Sequence, residues 1–184
     1  GLSPAAATPT GVLRAKVAVW TRPTEALTRG RYPFPKVLQQ VPGLGPLTSL
    51  PHVLTLGDPS RFNPSRQVGP YLGLVPRQRD SGERAPQLRI SKAGNKYLRQ
   101  LLVNGAHYIL GFRGPDSDLR RWGLAHASGG KLAKKRAIVA IARKLAVLLH
   151  SLWMPGEGYV PLRSEMPVSW KDWSLLKHPP YPVI

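Results

Sequence analysis

The sequence predicts a small, mostly α-helical domain with irregular ends, and three observations carry that expectation. Two long stretches, Ser91 to Phe112 and Lys131 to Trp153, place apolar residues at the three-and-four spacing of one buried helix face. Between Lys36 and Leu74, apolar clusters alternate with Gly and Pro pairs that suit short helices and tight turns. Both ends are rich in Pro and lack periodicity. The chain of 184 residues therefore divides into 1–35, a leader read as disordered or foreign to the rest; 36–163, the helical domain; and 164–184, a Pro- and Trp-rich tail.

Charge bounds the partners. Lys and Arg number 27 against 9 Asp and Glu, a formal net charge of +18. Such an excess says little about fold but favours polyanions, DNA or RNA, as ligands. There is no cysteine, which rules out disulfides and thiolate zinc sites and fits a reducing cytoplasm. The most apolar run, Ala137 to Trp153, is interrupted by Arg143, Lys144 and His150, so no membrane span is expected.

Taken in order, KVLQQVPGLGPLTSLPHVLTL reads as helix, Gly-rich turn, helix. Val37, Leu38 and Val41 form the first apolar face, and Pro46 suits the first position of the second helix. In this helix-hairpin-helix-like unit, Gly43 and Gly45 would let the backbone approach a phosphate, with the free N–H groups of the next helix aimed at it. A plain structural turn is the alternative. Pro51 is expected to shorten or kink the second helix. Asn63 and Pro64 read as an N-cap and first-position pair, followed by a helix of about two turns that Gly73 closes.

A basic loop follows, Val75 to Ile90, holding Ser81 in a Ser-Gly pair. Arg77, Arg79, Arg84, Arg89 and Lys92 surround it, and Lys96 and Arg99 follow. Guanidinium forks match phosphate oxygens two at a time, so the cluster suits a phosphodiester. On the residues alone, Ser81 reads first as a turn residue, since Ser-Gly is a common loop dipeptide. The loop is expected as a coil or a short hairpin.

The Ser91 to Phe112 helix buries Leu98, Leu101, Leu102, Ala106, Ile109 and Leu110, with Ser91 as its expected N-cap. Lys92, Lys96 and Arg99 form a separate basic stripe, either a nucleic-acid contact or a solvated face. His107 and Tyr108 read as packing residues. A short helix is expected from Ser117 to Ala125, with Asp116 and Asp118 as capping groups rather than metal ligands. The last helix lines up Ala137, Ile138, Ile141, Leu145, Leu148, Leu149 and Leu152, and should pack on the Ser91 to Phe112 helix. Met154-Pro155-Gly156 ends it, and Tyr159 packs back.

The runs GLVPRQRDSG, RISKAGNKYLRQLL and KKRAIVAIARKLAVLLHSLW together resemble the C-terminal domain of the IS one-ten type of bacterial insertion-sequence transposases, relatives of the Piv and MooV DNA invertases. The resemblance spans about Val37 to Arg163; Pro51 and Pro70 depart from its pattern. It implies DNA transposition and recombination by a serine that attacks the DNA backbone and forms a 5′-phosphoserine link. The matching position is Ser81, with Ser91 as runner-up. It also implies DNA as partner, a structured guide RNA, a homo-oligomer when full length, and a bacterial cytoplasmic setting. No cofactor is expected in this chain. Magnesium is expected on an acidic RuvC-like N-terminal half that is not visible here, so the reading expects a truncated or frame-shifted gene whose product is inactive alone. The alternatives are a non-catalytic helix-hairpin-helix nucleic-acid-binding module or a vestigial fragment.

Overall fold

The computed structural model describes residues 35–77, 88–154 and 158–162, together with the single residue Ala26. Among these, six α-helices appear in the order α1 (Pro35–Leu38), α2 (Pro46–Leu56), α3 (Val68–Tyr71), α4 (Lys96–Leu110), α5 (Asp118–Ala127) and α6 (Lys131–Trp153). Two 3₁₀ turns, Pro59–Arg61 and Ser65–Gln67, join α2 to α3.

Helix α6 is the spine. Its 23 residues touch α1, α3, α4 and α5. Every residue of its expected apolar face is buried except Leu148, which is half-buried, and Ala142, Ala146 and Trp153 add to the core. Leu98, Leu102, Ala106 and Ile109 of α4 pack into the same core, as expected. Each buried CH₂ contributes about 0.8 kcal/mol, so this helix pair is the main source of stability. Helix α2 closes the other side of α4 with Val53 and Leu56. Tyr159 packs against the core, and its backbone N–H donates to Gln40 Oε1 at 2.8 Å.

Several expectations change. Helix α2 runs through Pro51 without shortening. Asn63 does not cap a helix: its peptide bond to Pro64 is cis, and the following turn starts at Ser65 with no side-chain cap. The 3₁₀ turn and α3 together make about the two turns expected, and Gly73 follows with φ +66°.

Helix α4 starts at Lys96, not near Ser91. Asn95 caps it, its side chain accepting from Leu98 N–H at 3.0 Å. The residues before it are diverted by positive φ at Lys92 (+58°) and Gly94 (+69°). Ser91 instead donates its N–H to Val75 in an antiparallel pairing. His107 is exposed, so it does not pack; Tyr108 is also exposed but lies over Gly43. Helix α5 is capped by the Ser117 side chain, which accepts from Arg120 N–H at 3.2 Å. Asp116 serves otherwise: Arg121 Nε donates to both its carboxylate oxygens at 3.0 Å.

Among the described residues, no helix is long and apolar enough to cross a membrane.

Candidate nucleic-acid interface

The loop that carries Ser81 is closed at its base. Arg77 N–H donates to Arg89 at 3.0 Å, Ser91 N–H to Val75 at 2.9 Å, and Lys92 N–H to Gly73 at 3.1 Å. This is the stem of a short hairpin, with Pro76 bridged to Ile90. Ser81, Arg79 and Arg84 lie outside the described residues.

Arg99 locks this stem from below. It projects from α4 with only 9% of its surface exposed. Its Nη1 donates to the Leu72 carbonyl at 3.0 Å and the Ala93 carbonyl at 2.7 Å. The two backbone segments meet so closely that a Cβ on Gly73 would stand 2.2 Å from Ala93 N, and one on Gly94 2.2 Å from Tyr71 O. Both glycines have positive φ, so the approach needs residues without a side chain.

The expected basic stripe of Lys92, Lys96 and Arg99 is therefore broken up. Lys92 sits on the hairpin stem, Lys96 opens α4 in solvent, and Arg99 turns inward. Helical spacing misplaces them because residues 91–95, about the first turn and a half that it assumes, are not helix.

Gly43 (φ +84°) and Gly45 do form the turn between α1 and α2. At Gly43 the close approach is to α4: an added Cβ would lie 2.5 Å from Tyr108 Cδ1. Gly45 faces open space at the start of α2, and no side chain caps that start. Helix α1 is a single turn.

The hairpin stem forms one wall of a wide groove of about 1460 Å³. Arg89 and Lys92 stand on this wall. The opposite wall is α6, which contributes Lys135, Arg136, Arg143 and Lys144. Arg66 adds to one end, and Asp118, Trp122 and Tyr159 to another part of the lining. Arg143 lies across the backbone of Gly69, 3.1 Å from where a Cβ there would be. Lys144 Nζ sits 4.2 Å from the Trp122 ring centroid, a cation–π contact, and His126 stacks on that ring at 3.9 Å. Burial pushes the Tyr159 phenol up, opposed by a hydrogen bond with Ser117. Hydrogen bonds from Arg121 hold the Asp116 carboxyl below its ordinary value.

Of the residues singled out from sequence, the groove gathers Arg89 and Lys92. It also gathers Arg66, for which the sequence leaves a phosphate contact and a solvated charge both open, and the α6 cations, to which spacing alone assigns no role. The missed signal was the α6 register. Positions 135 and 136, then 143 and 144, are basic and share one face with 132, 139, 140, 147 and 148, which are apolar. Among the described residues, no group of three or more His, Cys, Asp or Glu side chains is placed to hold a metal ion.

Residues 35–119 match the model of the transposase IS116/IS110/IS902 family. The chain is 38% identical over 122 residues to the transposase for insertion sequence element IS1111A of Coxiella burnetii, covering 66% of this chain and 33% of that protein. It is 35% identical over 153 residues to a probable family 20 transposase of Pseudomonas aeruginosa, covering 81% of this chain and 44% of that protein. A pilin gene-inverting protein of Moraxella lacunata is 34% identical over 118 residues, 63% of this chain and 35% of its own length. The chain thus spans between a third and under half of these relatives. The match runs through α1 to the start of α5 and includes the whole hairpin stem. Over residues 35–119, the chain is thus similar to the IS116/IS110/IS902 family of transposases.

Proposed function

We propose that this chain is the C-terminal, DNA-gripping and strand-exchange part of an insertion-sequence transposase, with Ser81 as the attacking group. The observation that supports the reading is the hairpin stem: it closes the base of the loop in which Ser81 lies in sequence, and it lines one groove together with four cations of α6. Arg89 and Lys92 on the stem, with Arg136 and Arg143 across the groove, would hold backbone phosphates as charge-assisted donors. Arg77, Arg79 and Arg84 belong to the same loop and would stabilise the charge that grows on the phosphorus centre.

In the reaction, Ser81 Oγ attacks the phosphorus of a phosphodiester. An O–P bond to serine forms and the bond from phosphorus to the 3′ oxygen breaks. The proton lost by the serine hydroxyl balances the one gained by the departing 3′-hydroxyl. The product is a 5′-phosphoserine link that a second 3′-hydroxyl reverses on another strand. The magnesium that the family resemblance implies is assigned to an acidic region outside this chain. No group of described residues fits it. A structured guide RNA and a homo-oligomer belong to the same reading of the full-length protein. The α1–turn–α2 unit supports a further backbone contact at the uncapped start of α2.

The test uses a version extended to the relatives' full length and incubated with DNA carrying the element's end. Denaturing gels should show a covalent protein–DNA adduct that Ser81→Ala abolishes while Ser91→Ala retains it. Adduct and strand exchange at wild-type rates in Ser81→Ala would sink Ser81 as nucleophile. Binding with no adduct in any version would point to a non-catalytic nucleic-acid-binding module.

A further inference from the structure

The groove is shaped for more than phosphates. At about 1460 Å³ it exceeds the roughly 300–1,000 Å³ of small-molecule sites. Its edges are cationic, and Asp118 is the one acidic group among the described residues that line it. Its cations are exposed, whereas the apolar residues that form its floor lie deeper: Leu74 is buried, and Ile90, Val139, Val147, Leu148 and Tyr159 are half-buried. Along α6 the two chemistries alternate. The pair Arg143 and Lys144 stands two turns on from the pair Lys135 and Arg136, about 12 Å further along the helix axis. Apolar residues fill the layers before, between and after them.

A duplex does not use such a floor. It keeps its bases stacked inside and presents phosphates outward. Pressing it onto Val139 and Leu148 would strip water from phosphates and give nothing in return. An unpaired strand offers both chemistries, charged phosphates on one side and the flat apolar faces of bases on the other. We propose that the groove between the hairpin stem and α6 holds an unpaired nucleic-acid strand, its bases on the apolar floor and its phosphates along the cationic edges. The proposal rests on the reading of this groove as a nucleic-acid surface. Reaction geometry gives it a purpose: a strand cut beside the stem would be kept apart from its complement.

The experiment measures fluorescence anisotropy of the whole 184-residue chain with a labelled 20-nucleotide DNA strand, the same sequence as RNA, and the matching DNA duplex, at one salt concentration. An unpaired strand should bind at least tenfold tighter than the duplex. The DNA and RNA strands show which source is preferred, and a tenfold lead by either over the duplex upholds the proposal. Val139→Gln combined with Val147→Gln should weaken strand binding about tenfold and leave duplex binding unchanged. Both positions are half-buried, and circular dichroism verifies the fold. As a second variant, Arg136→Gln combined with Arg143→Gln should weaken both ligands. If the cation variant weakens binding but duplex binds as tightly as the strands, or the floor variant lowers both equally, the unpaired-strand proposal is overturned while the nucleic-acid reading stands. If the cation variant changes neither, both are overturned.

Discussion

Arg99 of α4 ties Leu72 to Ala93, donating from one guanidinium nitrogen to both carbonyl oxygens, at 3.0 and 2.7 Å. The two carbonyls lie at opposite ends of the hairpin that carries the Ser81 loop. Each hydrogen bond from a charged donor is worth roughly 1.5–3 kcal/mol, and removal also leaves carbonyls unpaired. Arg99→Met should therefore lower unfolding free energy by about 3 kcal/mol, measured by urea denaturation. Lysine, a point charge without the planar fork, should recover only part of the loss. An unchanged denaturation midpoint for Arg99→Met would show that the clamp contributes nothing.

The clamp works with Gly73 and Gly94, where backbones touch. Gly73→Ala and Gly94→Ala each add a Cβ 2.2 Å from backbone atoms at a positive φ. Backbone cannot swing aside as a side-chain tip can, so each should cost about 2 kcal/mol or more. Gly45→Ala is the contrast. A Cβ there meets nothing, and φ is −102°, so the cost should stay under about 1 kcal/mol. Thermal melts of the three variants check the order; equal melting temperatures would refute it.

His52 makes stability depend on pH. It is fully buried in α2, neither ring nitrogen has a partner, and burial, aided by nearby His150, lowers its pKa to about 3. The unfolded chain binds this proton near pH 6.5, so between pH 6.5 and 3 the unfolded state holds more protons. The contribution of neutral His52 is full above about pH 6.5 and is lost as pH falls, at up to about 1.4 kcal/mol per pH unit. His52→Leu should flatten that slope and cost little at pH 7.5, because no hydrogen bond is lost. A parallel pH–stability curve for His52→Leu and wild type would contradict this.

Much of the fold was legible because its main helices bury one face. The α6 boundaries and most of its core residues follow from spacing alone, and so does its pairing with α4. The start of α4 was not legible, because the Lys92 and Gly94 turns and the Arg99 clamp depend on Gly73, Tyr71 and Leu72, 19 to 27 positions earlier. Ser91 satisfies N-cap chemistry locally, but Lys92 and Gly94 take positive φ, so no helix follows it and Asn95 becomes the cap. Pro51 reads as a breaker, yet α2 continues through it with Val53 and Leu56 anchored in the core. The candidate site was half legible. A basic loop is visible in one dimension, whereas the facing α6 wall comes to it only through the packing of α3 and α4 against α6.

In the proposed function, cations from the hairpin stem and from α6 hold one nucleic-acid backbone between them. The most direct measurement is the slope of log Kd against log salt for wild type and for Lys92→Gln combined with Arg143→Gln, one cation from each wall. Each phosphate contact contributes about 0.9 to the slope on duplex DNA and about 0.7 on a single strand. The double variant should bind more weakly and lose about 1.4 to 1.8 of slope. A slope and affinity unchanged from wild type would contradict it.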